Sequence, residues 1–151
     1  GEETVHLTLH FIGAVEPRRM DGVVESVERS AAGLHAFDLR VDRRGTLPED
    51  GPPRVLAAFT DTPSDMMEIQ RRAFHRLASR EQRARGNRFR PHITLARTSA
   101  PDAQGPSESP TEPVLFNVSE VHLIRSDLRA SGPLHTPIHA VGLSLPRSRR
   151  V

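Results

Sequence analysis

Two short runs repeat along the sequence: His6-Leu7-Thr8-Leu9 and His92-Ile93-Thr94-Leu95. Their histidines lie 86 residues apart. Along an extended chain, residues i and i+2 point the same way. Each run therefore presents one imidazole and one hydroxyl on one face, with apolar residues on the reverse. Two imidazoles across a groove can divide proton transfer, one as base and one as acid, because histidine titrates near neutrality. Two threonine hydroxyls can donate to phosphoryl oxygens. The matching chemistry is in-line displacement at phosphorus. One histidine takes a proton from attacking water; the other returns one to the leaving oxygen. That scheme calls for no metal and no cofactor. A lone His-x-Thr is a weak signal among eight histidines and nine threonines, but two copies that both continue to leucine are a strong one.

The elements that must position these side chains are legible from periodicity. Residues 4–11 alternate, with Val5, Leu7, Leu9 and Phe11 on one side and His6, Thr8 and His10 on the other, and read as a half-buried strand. Pro17 suits a helix first turn, Met20, Val23, Val24, Val27 and Ala31 follow at helical spacing, and Gly33 can end the helix. Phe37, Leu39 and Val41 alternate as a second strand, 43–53 read as a loop, and Arg54 to Thr60 as a short apolar strand. Asp65 and Glu68 are spaced as a capping box for a helix with a Met66, Ile69, Ala73, Phe74, Leu77 stripe, fraying near Arg85. Residues 91–97 form another strand. Residues 98–113 read as a mobile loop, and 118–125 and 138–145 as two further strands around a Gly132-Pro133 loop. The tail at 146–151 is expected to be disordered. The order predicts a single α+β domain with antiparallel pairing. The repeated motif suggests two lobes, related by a pseudo-twofold, facing each other across a central groove with the helices outside.

Composition narrows the function classes. At 151 residues the chain has one domain's length, and with no cysteine it has no disulfide, no thiolate metal site and no cysteine nucleophile. No run approaches the roughly 20 apolar residues of a membrane span, and no signal-peptide pattern opens the sequence. A cytoplasmic monomer without a membrane partner is expected. Net charge is +2 although the pI is about 10.7, because all 21 cationic residues are arginine and nothing titrates between histidine and arginine. Residues 71–97 hold nine arginines and one acid, a net +8, so the remainder carries −6. A basic segment on an acidic body points to an anionic partner such as phosphate or RNA. The codon bias of a GC-rich genome would produce the same arginine excess.

Val5-His-Leu-Thr-Leu-His-Phe-Ile-Gly13 and Arg88-Phe-Arg-Pro-His-Ile-Thr-Leu-Ala-Arg97 resemble the two signature motifs of the 2H phosphoesterase superfamily. More narrowly, they resemble the RNA 2′,3′-cyclic phosphodiesterases, first named 2′–5′ RNA ligases. Glu120 to Leu128, Gly132-Pro133 and Thr136-Pro137-Ile138 are similar to that family's closing hairpin. The resemblance implies a two-lobed fold and metal-independent opening of a 2′,3′-cyclic phosphate to a 2′-phosphate. It implies His6 and His92 as the catalytic pair, with His92 as base and His6 as acid, and Thr8 and Thr94 as phosphate ligands. Arg97 ends the second motif where the family often has a basic residue. By strict alternation it points away from the groove and can contribute only if the strand bulges or ends there. Family members usually have a strand and a helix before the first motif; here that motif starts at Thr4 or Val5.

Further candidates for lining the groove are His10, Phe11, Arg88, Phe89, Arg90 and His135. His10 falls on the groove face by alternation, Phe89 can stack on a base, Arg88 and Arg90 can meet backbone phosphates, and His135 lies in the closing hairpin. His35, His75, His122 and His139 read as surface or packing residues. The expected partner is an RNA or oligonucleotide with a 2′,3′-cyclic phosphate end. Two alternatives use the same groove: cleavage or reversible ligation of 2′–5′ linkages, and an RNA-end-binding module with weak or no turnover.

Overall fold

The alternating segments pair into two antiparallel sheets in the computed structural model, which describes residues 5–48, 51–97 and 108–146. A 3-10 turn at Pro17–Arg19 leads into α1 (Met20–Ala31), which turns off at Gly33, φ +75°. Then come β1 (Phe37–Leu47), β2 (Val55–Thr60), α2 (Ser64–Leu77), α3 (Arg80–Arg85), β3 (His92–Arg97), β4 (Glu108–Val118), β5 (Glu120–Arg129) and β6 (Gly132–Gly142). One sheet has the order β3-β2-β1-β4; the other is the β5-β6 hairpin. The α+β antiparallel class expected from the sequence is the class observed. The two sheets are unequal, with four strands against two.

Several boundaries differ from the periodicity reading. The segment around His6 is not a strand: among the described residues its one sheet contact is a single antiparallel bridge, Leu7 to Ile93. Its apolar side is only half used. Leu7 and Leu9 join the core, whereas Val5 and Phe11 are 68% and 74% exposed. Residues 43–47, expected as loop, continue β1, because that strand pairs with a neighbour on both sides. Of the expected loop at 98–113, residues 98–107 lie outside the described residues, and 108–113 begin β4. Prolines 110 and 113 are tolerated there because β4 is the outermost strand, with an edge that needs no donor. The register jumps from Val41–Val114 to Arg43–Pro110 around them. Gly132-Pro133 is not a loop but the start of β6, and the hairpin turns one step earlier. Of the expected tail, only Pro146 is described.

Helix α2 starts after Pro63 without a side-chain cap, so Asp65 and Glu68 do not form a capping box. Asp65 instead accepts from the His35 backbone N–H at 3.1 Å, and Glu68 binds Arg71 and Arg72. The box is at α3: Ser79 accepts from the Gln82 backbone while the Gln82 side chain accepts from the Ser79 N–H. The helix expected to run to Arg85 is thereby split at Ala78, because Ser79 and Gln82 together stabilise a new start.

The core has three parts. Helix α1 buries Val23 and Val27 against Leu123 of β5. Ala31, Ala36, Ile69 of α2 and Leu143 form a second cluster that also takes Leu9 and Phe37. Val41, Ala58 and Ile93 form a third, closed by Leu7. Burying such side chains stabilises by about 1.5–3 kcal/mol each. The helices therefore fix the hairpin, and Leu7 and Leu9 tie the first motif to the third and second of these clusters.

Candidate active site

Directly paired residues in an antiparallel sheet point to the same side. Leu7 and Ile93 are paired, and both face the Val41–Ala58 cluster. Alternation from that bridge puts His6 beside Thr94, Thr8 beside His92, and all four on the opposite face. In a regular antiparallel pair, residues related by such a diagonal are about 7–8 Å apart. That spacing leaves room for one phosphoryl group between the rings.

The second motif is held by strand pairing. His92 opposes Phe59 and Thr94 opposes Ala57. The register then slips: Leu56 opposes Ala96 and Val55 opposes Arg97, so Leu95 is an extra residue. This bulge reverses the alternation beyond it. Val55 shares a face with Ala57 and Phe59, so Arg97 lies on the face of His92 and Thr94. The strict-alternation expectation for Arg97 is therefore corrected by one inserted residue.

The ring of His92 has a defined orientation. Its Nδ1 is 2.8 Å from the Arg90 carbonyl. A carbonyl only accepts, so Nδ1 carries the proton, and in the neutral ring Nε2 holds the lone pair. Arg90 is itself positioned from below and from the side. Its guanidinium lies 3.9 Å over the Phe59 ring, and it donates to Glu108 at 3.1 Å. The other oxygen of Glu108 accepts from Arg43 at 2.8 Å. Phe59 is 1% exposed, so the platform is rigid. The bend before β3 is pinned by a reciprocal amide pair, Gln70 Nε2 to Asn87 Oδ1 and Asn87 Nδ2 to Gln70 Oε1, at 2.8 and 2.9 Å. Phe59, Glu108, Arg43, Gln70 and Asn87 were missed from the sequence. The β2 alternation was the available signal for Phe59; nothing local marked the others.

His6 is exposed and lies against the hairpin. Its ring meets that of His135 edge to face, with centroids 5.0 Å apart. His135 Nδ1 is in turn 2.9 Å from Ser126 Oγ. The hairpin thus brings a third imidazole to the site, and His135 is the sequence candidate that the fold joins to His6. Ser126 lies directly across the hairpin from His135, with which it pairs.

His10 does not line the groove. The chain bends at Leu9, and the ring packs edge-on against Phe74 of α2, centroids 5.9 Å apart. Burial lowers its pKa below the ordinary 6.5, opposed by a hydrogen bond to the Leu77 backbone. Its Nε2 is enclosed without a hydrogen-bond partner among the described residues. Phe11 is drawn away too, its carbonyl accepting from Gln82 of α3 at 2.8 Å. Arg88 is exposed and Phe89 half-buried, and no described contact joins either to His6 or His92. His122 and His139 pair with Glu120 and Glu28, each at 2.9 Å.

Comparison with known proteins bears on this arrangement. The 2′-5′ RNA ligase superfamily matches residues 2–130. An RNA 2′,3′-cyclic phosphodiesterase of Thermus thermophilus is 32% identical over 148 residues, 92% of this chain and 72% of that protein. One of Geobacillus stearothermophilus is 28% identical over 139 residues, 89% of this chain but only 44% of that protein, so this chain spans under half its length. The crystal structure of a Thermus thermophilus protein superposes with a TM-score of 0.78 at 27% identity, over 93% of this chain and 79% of that one. Escherichia coli LigT complexed with phosphate, at 24% identity, shares the fold with a TM-score of 0.71 over 93% and 75% of the two chains.

Proposed function

Because the chain belongs to the 2′-5′ RNA ligase superfamily, we propose that it hydrolyses the 2′,3′-cyclic phosphate at an RNA or nucleotide end to a 2′-phosphate. The observation that carries this reading is the Leu7–Ile93 bridge, whose register sets two histidines and two threonines on one face. Water attacks phosphorus in line with the 3′ oxygen. His92 Nε2 takes the water proton, since its Nδ1–H is committed to Arg90. The P–O3′ bond breaks, and His6 delivers a proton to the 3′ oxygen. Thr8 and Thr94 donate to the non-bridging oxygens, and Arg97 offsets their charge. His135 walls the His6 ring.

Relatives named RNA 2′,3′-cyclic phosphodiesterase support the substrate class. Each proton transfer of this kind contributes about 10²–10⁴-fold. The test is turnover of 2′,3′-cyclic AMP in EDTA with the product isomer identified. The 2′-phosphate, lost in His92→Ala, is expected. No product from the cyclic substrate, with cleavage or joining of a 2′–5′ dinucleotide, would move the chemistry to that linkage. RNA binding without turnover of either would make the chain an end-binding module.

A further inference from the structure

On the helices, away from the paired histidines, lies a second concentration of chemistry. Arg29 of α1 and Arg71, Arg72, His75 and Arg76 of α2 line one cleft of about 340 Å³. We propose that this cleft is a phosphodiester-backbone site, holding the body of an RNA whose cyclic end occupies the groove. The inference rests on the RNA reading above and extends it from the terminal nucleotide to the chain behind it.

The charge balance favours an anion. Among the described residues, no carboxylate lines the cleft. The two that border it are Glu25, which accepts from Arg29 at 2.9 Å, and Glu68, which accepts from Arg71 at 2.7 Å and Arg72 at 2.9 Å. Arg71, then Arg72, holds the Glu68 carboxyl down to about 2, so it is fully ionised at neutral pH. Two carboxylates thus face four guanidinium groups, and Arg76 forms none of the ion pairs among the described residues. Arg72 also donates to the Ala32 carbonyl at 2.9 Å, which ties the helices together and holds its guanidinium in place. Helix C-termini attract cations, and that accounts for Arg29 and Arg76 in the last turns of α1 and α2, but not for Arg71 and Arg72 in mid-helix. It does not account for two helices aiming them into one concavity with half their charge unneutralised. Arginine in such a setting suits phosphate, which accepts from its donor fork.

The chain itself connects the cleft to the groove. From α2 it passes through α3, with Arg80, Arg83 and Arg85, to Arg88, Arg90 and His92. Arg83 donates to the His75 carbonyl at the cleft, and the Gln70–Asn87 pair pins the bend that follows. Residues 71–97 carry +8 in all. In this proposal the body of the RNA follows that basic segment, and a cyclic mononucleotide has no backbone to do so.

The experiment uses the full chain and two probes: 2′,3′-cyclic AMP, and a single-stranded RNA of about 16 nucleotides, the upper range of a single-strand site. The RNA carries the cyclic end for turnover and a 2′-phosphate end for binding by fluorescence anisotropy. In the Arg29→Gln/Arg76→Gln double variant, kcat/KM on cyclic AMP should stay unchanged while RNA binding weakens about tenfold. The slope of log K against log salt should fall by about 0.7 for each phosphate no longer neutralised. Arg29→Lys/Arg76→Lys should restore most of the slope, and Glu68→Gln should tighten RNA binding. RNA affinity and salt slope equal to the parent's in the double glutamine variant would overturn the proposal. So would a loss of salt slope in the glutamine variant that lysine fails to reverse, since the effect would then not be one of charge. A parent inactive on cyclic AMP would sink the activity reading alone, because the anisotropy comparison still reads the cleft.

Discussion

The two His-x-Thr-Leu segments share a sequence pattern and differ in structure. The second is a strand, hydrogen-bonded to β2, with the His92 ring oriented by the Arg90 carbonyl and Arg90 braced by Phe59 and Glu108. The first is irregular, its one sheet contact among the described residues at Leu7, with His6 leaning on a ring from the hairpin. The pattern sets what each side chain can do chemically. The neighbours set how firmly it is held, and the firmness is unequal. In the proposed mechanism the base, which must present one defined nitrogen, is the residue on the rigid side, and the acid, which must reach a leaving oxygen, is the one on the side with fewer backbone restraints.

The largest effects test whether the two segments are equal in chemistry. His92→Ala and His6→Ala should each slow turnover of 2′,3′-cyclic AMP by roughly 10²–10⁴-fold, with thermal melts close to the parent's. A His6→Ala loss of only a few-fold would break the comparison, leaving His92 to act alone. Next comes rigidity. Ile93→Ala, in the buried cluster, should cost about 2–5 kcal/mol in urea unfolding. Leu7→Ala, half-buried at a single bridge, should cost about 1–2 kcal/mol yet lower kcat disproportionately, because it frees His6. Equal stability costs would mean the first segment is as firmly built as the second.

Smaller effects sharpen the hairpin's role. A ring contact of about 0.5–1.5 kcal/mol corresponds to roughly two- to tenfold in rate. His135→Ala should lower kcat within that range, and Ser126→Ala by less, with KM for cyclic AMP nearly unchanged. A rise in KM instead would make His135 a substrate contact. The smallest effect concerns His10. Its folded pKa lies below 6.5, so the unfolded chain takes up the proton first. Stability from this residue is full above 6.5 and declines as pH falls from there toward the folded value. Urea midpoints between pH 7 and pH 5 should therefore drop less in His10→Leu than in the parent. Parallel curves would place His10 in solvent.

Much of this was legible before the fold was known. Both helices and the strands around Leu39, Phe59 and Ile93 followed from periodicity, because a buried face repeats at a fixed interval. The capping box was placed at Asp65 and Glu68 because their spacing fits; it formed at Ser79 and Gln82, where the chain turns. Alternation extended through Leu9 assigns His10 to the groove, and the bend there carries it to α2 instead, while the Phe11 carbonyl is held by α3. Loop composition misled at 108–113, where an edge strand accommodates proline.

By itself, the sequence determined the chemistry: paired imidazoles and hydroxyls at strand spacing, an arginine-rich segment, and no thiol. These are properties of side-chain type and local period. Tertiary structure decided which of them meet. The Leu7–Ile93 bridge joins the two motifs across 86 residues, the Leu95 bulge turns Arg97 to the groove face, and the hairpin delivers His135 and Ser126. Each depends on register between distant segments. Register is set by which apolar faces bury against each other, and that is a property of the whole packed chain.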